Sequence, residues 1–185
     1  MRTPTIAVLL ANGFEEIEAV AIVDVLRRAG LAVTVASISS EEQVTGSHEM
    51  VLLADTVLRE IRPIDFDMVV LPGGMPGSET LACDSDVLDF LRELHARGAF
   101  VCAICAGPIA LAAAGLLAGR KATCYPGFES RLSGAHYTGK RVQVHERIIT
   151  GNGPGAALEF SYELVRQLGL SDTARQLATS MLTGH

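Results

Sequence analysis

Short apolar runs alternate with longer segments of helical character along this chain. Apolar runs of about four to eight residues that are bounded by turn residues are typical of strands buried on both faces of a parallel sheet. We predict strands at residues 5–10, 31–38, 67–71 and 99–104, with weaker ones at 50–53, 141–144 and 147–150. We predict helices at residues 15–29, 84–97, 156–168 and 172–182, with an alanine-rich helix after residue 107. This pattern predicts a single doubly wound α/β domain over residues 1–185, with a mostly parallel sheet and helices on both faces.

Three of the predicted strands end in polar or glycine-rich sequence. The first strand leads into residues 12–18, the third into residues 72–77, and the strand at 99–104 leads directly into Cys105. Ligands of doubly wound folds bind beyond the carboxyl ends of the strands. We therefore expect these three segments to line one crevice.

Cys105 lies between an apolar run and Ala106-Gly107-Pro108, which opens the alanine-rich segment. A nucleophile at a strand-to-helix turn is the arrangement known as a nucleophile elbow. Such a turn would aim the sulfur into the crevice and place a helix N-terminus beside it, which favours thiolate over thiol. The alternative is a buried core cysteine, the commoner fate of a free Cys. This stretch alone leaves both open.

Two further segments could complete a site around Cys105. Backbone N–H groups at Gly73 and Gly74 could face a bound oxygen, as an oxyanion hole requires, although Pro-Gly is also a common turn signal. Glu18 lies among apolar neighbours in the first helix, where burial would raise the pKa of its carboxyl. It could then hold a proton at neutral pH and exchange it with a substrate. Glu15 and Glu16 are explained by the helix dipole alone.

Composition and charge exclude several classes of function. The net charge is −6 and the Lys and Arg residues are scattered, so a basic stripe for nucleic acid is not expected. We find neither a secretory signal nor an apolar segment that could span a membrane, and we expect a cytoplasmic protein.

Cys102 and Cys105 form a C-x-x-C that could be a redox pair or half of a metal site. Because residues three apart in a strand point to opposite faces, we expect a reduced pair and no metal site.

The chain resembles the ThiJ/PfpI superfamily, and specifically the branch of the Parkinson-disease protein deglycase. The matching segments occur in the family's order over nearly the whole chain, at residues 12–18, 23–30, 67–74, 103–108, 136–138 and 153–155. The resemblance implies a flavodoxin-like fold, a homodimer, and Cys105 as an oxidisable nucleophile. It also implies that Glu18 contacts the sulfur and that the backbone of Gly74 and Ala106 forms an anion pocket.

Two positions depart from the family pattern. Tyr125 stands where the branch commonly has a histidine, and tyrosine can bind a substrate oxygen but is a poor base near pH 7. His48 stands where relatives often carry arginine. We expect it to be mostly neutral and to be a weaker anion contact, together with Arg28. His136 belongs to the family's His-Tyr-Thr block, and we expect a structural role for it.

The leading functional hypothesis is a cofactor-independent cysteine enzyme. It would convert α-oxoaldehydes such as methylglyoxal and glyoxal to hydroxy acids, or remove early glycation adducts, with Cys105 as nucleophile and Glu18 as acid and base. The alternative is an oxidative-stress sensor or redox-regulated chaperone, in which Cys105 oxidises to sulfinic acid. Protease activity is not expected, because Ala106 replaces the histidine that follows the cysteine in PfpI-type proteases. A class I glutamine amidotransferase is disfavoured, because the segment at residues 151–155 lacks the required histidine and glutamate.

The first predicted helix, at residues 16–29, has more apolar surface than one core-facing stripe needs. Its apolar residues are Ile17, Ala19, Val20, Ala21, Ile22, Val23, Val25 and Leu26. A second copy of the chain would cover the additional face in a two-fold dimer. Another element of the same domain could also cover it, and the family resemblance favours the dimer.

Overall fold

Strands and helices alternate in the computed structural model, which describes residues 2–183. The strands are β1 (Thr5–Leu10), β2 (Ala32–Ser37), β3 (Gln43–Thr45), β4 (Val51–Leu53), β5 (Thr56–Val57), β6 (Met68–Leu71), β7 (Phe100–Ile104), β8 (Lys121–Ala122), β9 (His136–Tyr137), β10 (Val142–His145) and β11 (Ile148–Gly151). The helices are α1 (Glu16–Arg28), α2 (Gly77–Cys83), α3 (Ser85–Ala96), α4 (Pro108–Ala113), α5 (Ala157–Gln167) and α6 (Ser171–Ser180). Short 3-10 turns occur at Leu58–Glu60, Pro63–Asp65, Glu129–Arg131 and Pro154–Ala156.

The central sheet has seven strands in the order β10, β11, β7, β6, β1, β2 and β5. All neighbouring pairs are parallel except β10 and β11, which form an antiparallel pair at one edge. β1, β6 and β7 lie side by side, so the segments that follow them meet at one edge of the sheet. This confirms the predicted doubly wound, mostly parallel α/β domain and brings the three predicted site segments together.

The sheet separates two hydrophobic cores, because successive side chains of a strand point to opposite faces. Ile6, Val8 and Leu10 of β1 lie in the core that also contains buried residues of α1 and α5. Ala7 and Leu9 of the same strand lie in the core that contains residues of α3 and α4. Helices therefore cover both faces, as predicted.

Besides the short strands β3, β5, β8 and β9, which were not predicted, three elements differ from the predictions. The strand predicted at residues 50–53 is β4, which pairs with β3 in a separate hairpin and not with the central sheet. The helix α2 was not predicted, because its seven residues are too few to show a helical period. The alanine-rich segment forms only the six-residue α4, which ends before Gly115 at φ +79°.

The helix α1 packs on the sheet and on α5, so part of its apolar surface is covered within the same domain. Ile17 and Val20 nevertheless remain 60% and 46% exposed, and Leu53 of the nearby hairpin is 75% exposed. Among residues 2–183, no helix is long and apolar enough to cross a membrane.

Candidate active site

Cys105 is the first residue after β7 and has a φ of +64°. A positive φ is uncommon for a residue with a side chain and identifies a sharp turn. Two backbone hydrogen bonds hold this turn: Cys105 N–H donates to the carbonyl of Gly151 at 2.9 Å, and Tyr125 N–H donates to the carbonyl of Cys105 at 2.9 Å. The predicted nucleophile elbow is therefore present, and it is fixed by the neighbouring strand and loop.

The residues after Cys105 explain why the chain can turn so sharply. A Cβ atom on Gly107 would lie 2.9 Å from the carbonyl oxygens of both Ile104 and Leu71, so only glycine fits without displacing backbone. Pro108 then begins α4 at a position where its missing N–H leaves no hydrogen bond unmade. With six residues, α4 provides a weaker dipole at the sulfur than the long helix expected from the alanine-rich sequence.

Glu18 reaches the elbow from the first turn of α1. Its side chain is completely buried, and Oε2 accepts a hydrogen bond from Gly73 N–H at 2.7 Å. The other oxygen, Oε1, has no nitrogen or oxygen partner among residues 2–183. Cys105 lies close to this carboxyl, because Cys105 Cβ and Glu18 Oε2 both border Gly73. The predicted pairing of Glu18 with Cys105 is thus realised in the structure.

Gly73 determines how closely the two groups approach. A Cβ atom on Gly73 would lie 2.5 Å from Cys105 Cβ, 2.8 Å from Glu18 Oε2 and 3.0 Å from the nitrogen of Ala106. Any side chain here would therefore displace the sulfur, the carboxyl or both. The role of Gly73 differs from the predicted one, because its N–H is used to hold Glu18 and is not free to bind a substrate oxygen.

The amides that remain for an anion pocket are those of Gly74 and Ala106, and both act to lower the pKa of the Cys105 thiol. Gly74 has a φ of +91°, and a Cβ atom on it would collide with the backbone of Gly13, Phe14 and Glu15. Glycine is required at this position by both conformation and space. The predicted pocket is therefore reduced to these two amides.

The ionisation of the Cys105–Glu18 pair differs from the expected free thiolate. Burial raises the pKa of Glu18 to about 7. Burial and the adjacent Glu18 carboxylate raise the pKa of the Cys105 thiol, although the amides of Ala106 and Gly74 act in the opposite direction. Above about pH 7 the pair therefore holds one proton between the carboxyl and the sulfur, and the two groups titrate as a unit.

Tyr125 lies beside the elbow through its backbone bond to Cys105, and its half-exposed ring packs against Gly153. A Cβ atom on Gly153 would lie 3.0 Å from Cδ2 of this ring. The structure thus places the Tyr125 backbone beside Cys105, and the contact of its hydroxyl with a substrate oxygen stays a prediction.

The two predicted anion contacts, His48 and Arg28, are both paired with carboxylates. Arg28 lies in the last turn of α1, about 15 Å along the helix axis from Glu18, and its Nε binds Asp24 Oδ2 at 2.6 Å. His48 lies between carboxylates: its Nδ1 is 2.8 Å from Glu16 Oε2 and 3.8 Å from Glu15 Oε2. An anion would be repelled there. Hydrogen bonding to Glu16 and the charges of Glu15 and Glu16 raise the pKa of His48.

Glu16 is a buried group that the sequence analysis assigned only to the helix dipole. Its backbone and side-chain hydrogen bonds with His48 outweigh the effect of burial and lower the pKa of Glu16 to about 2. The sequence signal that could have identified the Glu16–His48 pair is the histidine at position 48, where relatives often carry arginine.

The other cysteines lie outside the site chemistry. Cys102 and Cys124 are buried free thiols, and burial raises the pKa of each. Cys83 is a free thiol on the surface at the end of α2.

His136 is an exposed residue of β9 whose N–H donates to the carbonyl of Arg120 at 2.8 Å. This bond fits the structural role expected for it.

Comparisons with known proteins give a consistent identity for the chain. Residues 4–167 match the DJ-1/PfpI family. The chain is 40% identical over 183 residues to "Protein DJ-1 homolog A" of Arabidopsis thaliana, covering 97% of this chain but only 47% of that protein. It is 36% identical over 156 residues to the "Glutathione-independent glyoxalase DJR-1.2" of Caenorhabditis elegans, covering 83% of this chain and 82% of the relative.

A solved structure matches the fold along its full length. The crystal structure of Drosophila melanogaster DJ-1beta superposes with a TM-score of 0.96 at 36% identity, and the match covers 100% of both chains. In sequence, "Protein dj-1beta" of the same organism is 37% identical over 180 residues, covering 96% of each protein. This chain belongs to the DJ-1/PfpI family.

Proposed function

We propose that the protein is a cofactor-independent cysteine enzyme that converts α-oxoaldehydes, such as methylglyoxal and glyoxal, to hydroxy acids. The observation that carries the proposal is the Cys105–Glu18 pair, in which a strained nucleophile lies against a buried carboxyl with a pKa near neutrality. The amides of Gly74 and Ala106 lie beside the same sulfur. This arrangement provides a nucleophile, an acid and base, and an oxyanion pocket.

In the first step, the Cys105 sulfur bonds to the aldehyde carbon of methylglyoxal and the thiol proton passes to Glu18. The amides of Gly74 and Ala106 stabilise the negative oxygen that develops on that carbon. Glu18 then gives the thiol proton to this oxygen, which completes a hemithioacetal and leaves the carboxyl ionised for the next step. The ionised carboxyl acts as the base that generates the thiolate during attack, so a free thiolate is not required in the resting protein.

In the second step, Glu18 removes the proton from the carbon bonded to sulfur and delivers it to the neighbouring carbonyl carbon. The hydroxyl proton on the former aldehyde oxygen moves to the former ketone oxygen. The product is a thioester of lactic acid on Cys105. Water then adds to the thioester carbon, and Cys105 leaves as a thiol. Methylglyoxal and one water thus become lactic acid, with no net oxidation or reduction.

Two observations favour small aldehydes as substrates. Cys105 retains only 9% exposure, so a small molecule reaches its sulfur more easily than a glycated side chain of a folded protein does. The Caenorhabditis elegans relative is named a glutathione-independent glyoxalase. Removal of early glycation adducts would use the same sulfur, and we treat it as a second reaction of this site.

The test is methylglyoxal consumption and lactate formation by reduced protein in the absence of glutathione. We expect Cys105→Ala and Glu18→Ala to lose turnover, whereas Cys83→Ser should retain it, because Cys83 is an exposed thiol on α2. The same variants assayed on a glycated peptide compare the two reactions. Full methylglyoxal turnover by either Cys105→Ala or Glu18→Ala would exclude this mechanism.

A redox sensor is the second candidate function. The amides of Gly74 and Ala106 that face the sulfur could also bind the oxygens of a sulfinate formed from Cys105 by two equivalents of peroxide. Negligible turnover of fully reduced protein, combined with stoichiometric peroxide oxidation at Cys105, would favour the sensor. Both functions require a reduced thiol, which fits a reducing compartment such as the cytoplasm.

We also propose that the protein forms a homodimer through α1 and the β3–β4 hairpin. Ile17, Val20 and Leu53 are exposed apolar side chains on these elements, and a second copy would remove them from water. Sedimentation of a dimer at micromolar concentration, and its dissociation by Val20→Glu, are the expected results. A wild-type monomer under these conditions would contradict the proposal.

A further inference from the structure

We infer that Glu15, Glu16 and His48 form a binding site for a divalent transition-metal ion such as Zn²⁺. The site lies where the loop that follows β3 meets the first turn of α1. It uses none of the groups that the proposed reaction needs, because Glu18 is held separately by Gly73. An experiment that disproves the metal site would therefore leave the proposed reaction untouched, and the reverse is also true.

The separations of the ligand atoms fit one metal ion. Two ligands bound tetrahedrally at the usual Zn–N and Zn–O lengths lie about 3.4 Å apart. His48 Nδ1 is 2.8 Å from Glu16 Oε2 and 3.8 Å from Glu15 Oε2, which brackets that separation. One ligand atom from each of the three residues lies within 4.8 Å of the others. A small rotation of the Glu15 side chain would complete the triangle.

Glu16 is already oriented as a ligand. Its Oε1 accepts the backbone N–H of His48 at 2.6 Å, which leaves Oε2 directed at the imidazole. The carboxyl packs against Gly46, where a Cβ atom would collide with it. Ser47 Oγ lies 3.3 Å from Glu16 Oε2 and 3.1 Å from His48 Nδ1, so it can act as an outer-shell partner. Outer-shell bonds of this kind orient metal ligands and strengthen their sites.

The donor set selects the class of ion. One imidazole nitrogen with two carboxylate oxygens suits Zn²⁺, Co²⁺, Ni²⁺ or Cu²⁺ better than Ca²⁺ or Mg²⁺, which prefer oxygen ligands alone. Two carboxylates beside one imidazole also leave an excess of negative charge that a divalent ion would neutralise. The His48 side chain is 70% exposed in the single chain, so an ion from solvent can reach the site before the β3–β4 hairpin packs against a second copy.

The site is connected to the elbow through the backbone. Glu15 N–H donates to the carbonyl of Gly73 at 2.8 Å, and Gly73 in turn holds Glu18. A bound ion would tie the 46–48 loop to the helix turn that supports this contact. We therefore expect the ion to raise the thermal stability of the protein as well as to bind.

The experiment is a Co²⁺ titration of untagged full-length protein in the Cys105→Ala background, which removes the most reactive sulfur as a competing ligand. We expect one Co²⁺ per chain, visible d–d bands without a sulfur-to-cobalt charge-transfer band, and a higher melting temperature. Zn²⁺ should displace the Co²⁺ and abolish the bands. Because loss of even an outer-shell partner weakens a site about tenfold or more, His48→Gln should weaken binding by at least about tenfold.

His136→Gln is the matched control, since it removes another exposed histidine outside the cluster. It should bind Co²⁺ as the Cys105→Ala background does, and Glu15→Gln should weaken binding as His48→Gln does. Undiminished binding by His48→Gln and Glu15→Gln would overturn the inference. So would binding that is substoichiometric, or a spectrum that shows sulfur ligation.

Discussion

Substitution of Glu18 by glutamine should change how the stability of this protein depends on pH. Glutamine has nearly the same shape as glutamate, and its Oε1 can accept the hydrogen bond from Gly73. What it removes is the ionisation of a completely buried carboxyl. The substitution therefore isolates the free energy of burying that charge.

The sign and size of the effect follow from the pKa of Glu18, which rises from 4.5 in the reference state to about 7 in the folded protein. Below pH 4.5 the carboxyl is protonated in both states, and the burial of its charge has no effect. Between these two pKa values the folded state retains a proton that the unfolded state has lost, so stability falls as pH rises. At about 1.4 kcal/mol per pH unit, the full loss is about 3 kcal/mol, reached above pH 7.

The assay is urea unfolding of Cys105→Ala and of the Cys105→Ala, Glu18→Gln double variant. The Cys105→Ala background removes the coupled titration of the sulfur. All other ionisable groups are common to the two proteins, so their contributions cancel in the difference. From about pH 5 to about pH 8, the double variant should gain about 2.5 kcal/mol relative to Cys105→Ala.

A stability difference that does not change over this pH range would refute the reasoning. It would mean that Glu18 titrates in the folded protein as it does in the unfolded chain. The carboxyl could then not hold a proton near neutrality. A difference that changes in the opposite direction would mean that the folded protein favours the ionised form.

Three further predictions follow from the packing and charges of the site. Gly73→Ala should abolish methylglyoxal turnover, because the added Cβ would lie 2.5 Å from Cys105 Cβ, whereas Gly155→Ala, with no atom within 4 Å of its added Cβ, should retain activity in the same assay. Arg28→Ala should leave KM for methylglyoxal unchanged, because Arg28 binds Asp24. A large increase in KM would show that Arg28 contacts the substrate. Glu16→Gln should lower the free energy of unfolding at neutral pH, measured in urea. This loss should shrink as the pH falls from 4.5 toward 2, since the pKa of Glu16 is lowered to about 2, and a loss that does not depend on pH would contradict this assignment.

The fold, the elbow at Cys105 and the burial of Glu18 could be predicted because each follows from local sequence, whereas the contact of Glu18 with Cys105 was expected from the family resemblance. Continuous apolar strands closed by glycine or by Cys105 define a parallel sheet and one of its edges. Ala106, Gly107 and Pro108 directly predict the elbow, and the apolar neighbours of Glu18 predict its burial. Each of these signals lies within a few residues of the feature that it specifies.

The surroundings of the pair depend on contacts between distant segments. Gly73 N–H binds Glu18, which is 55 positions away in sequence, and not a substrate oxygen. His48 binds Glu16, which is 32 positions away. A polar residue in sequence gives no sign of which partner it will meet, so the carboxylate partners of His48 and Arg28 could not be predicted.

The thiol itself shows how a local argument can be correct in geometry and incomplete in electrostatics. The turn at Cys105 and the facing amides were predicted, and these amides do favour the thiolate. Burial and the charge of Glu18 act more strongly in the other direction. The net effect of these opposing influences on the thiol pKa depends on how deeply the sulfur is buried, which the sequence does not show.

The most direct test of the central claim is the rate of alkylation of Cys105 by iodoacetamide as a function of pH, in the wild type and in Glu18→Gln. If one shared proton controls the sulfur, the wild-type rate should rise by about tenfold per pH unit and then level near pH 7, where Glu18 titrates. This inflection should disappear in Glu18→Gln. Identical profiles for the two proteins, or a sulfur that does not react at neutral pH in the wild type, would contradict the account.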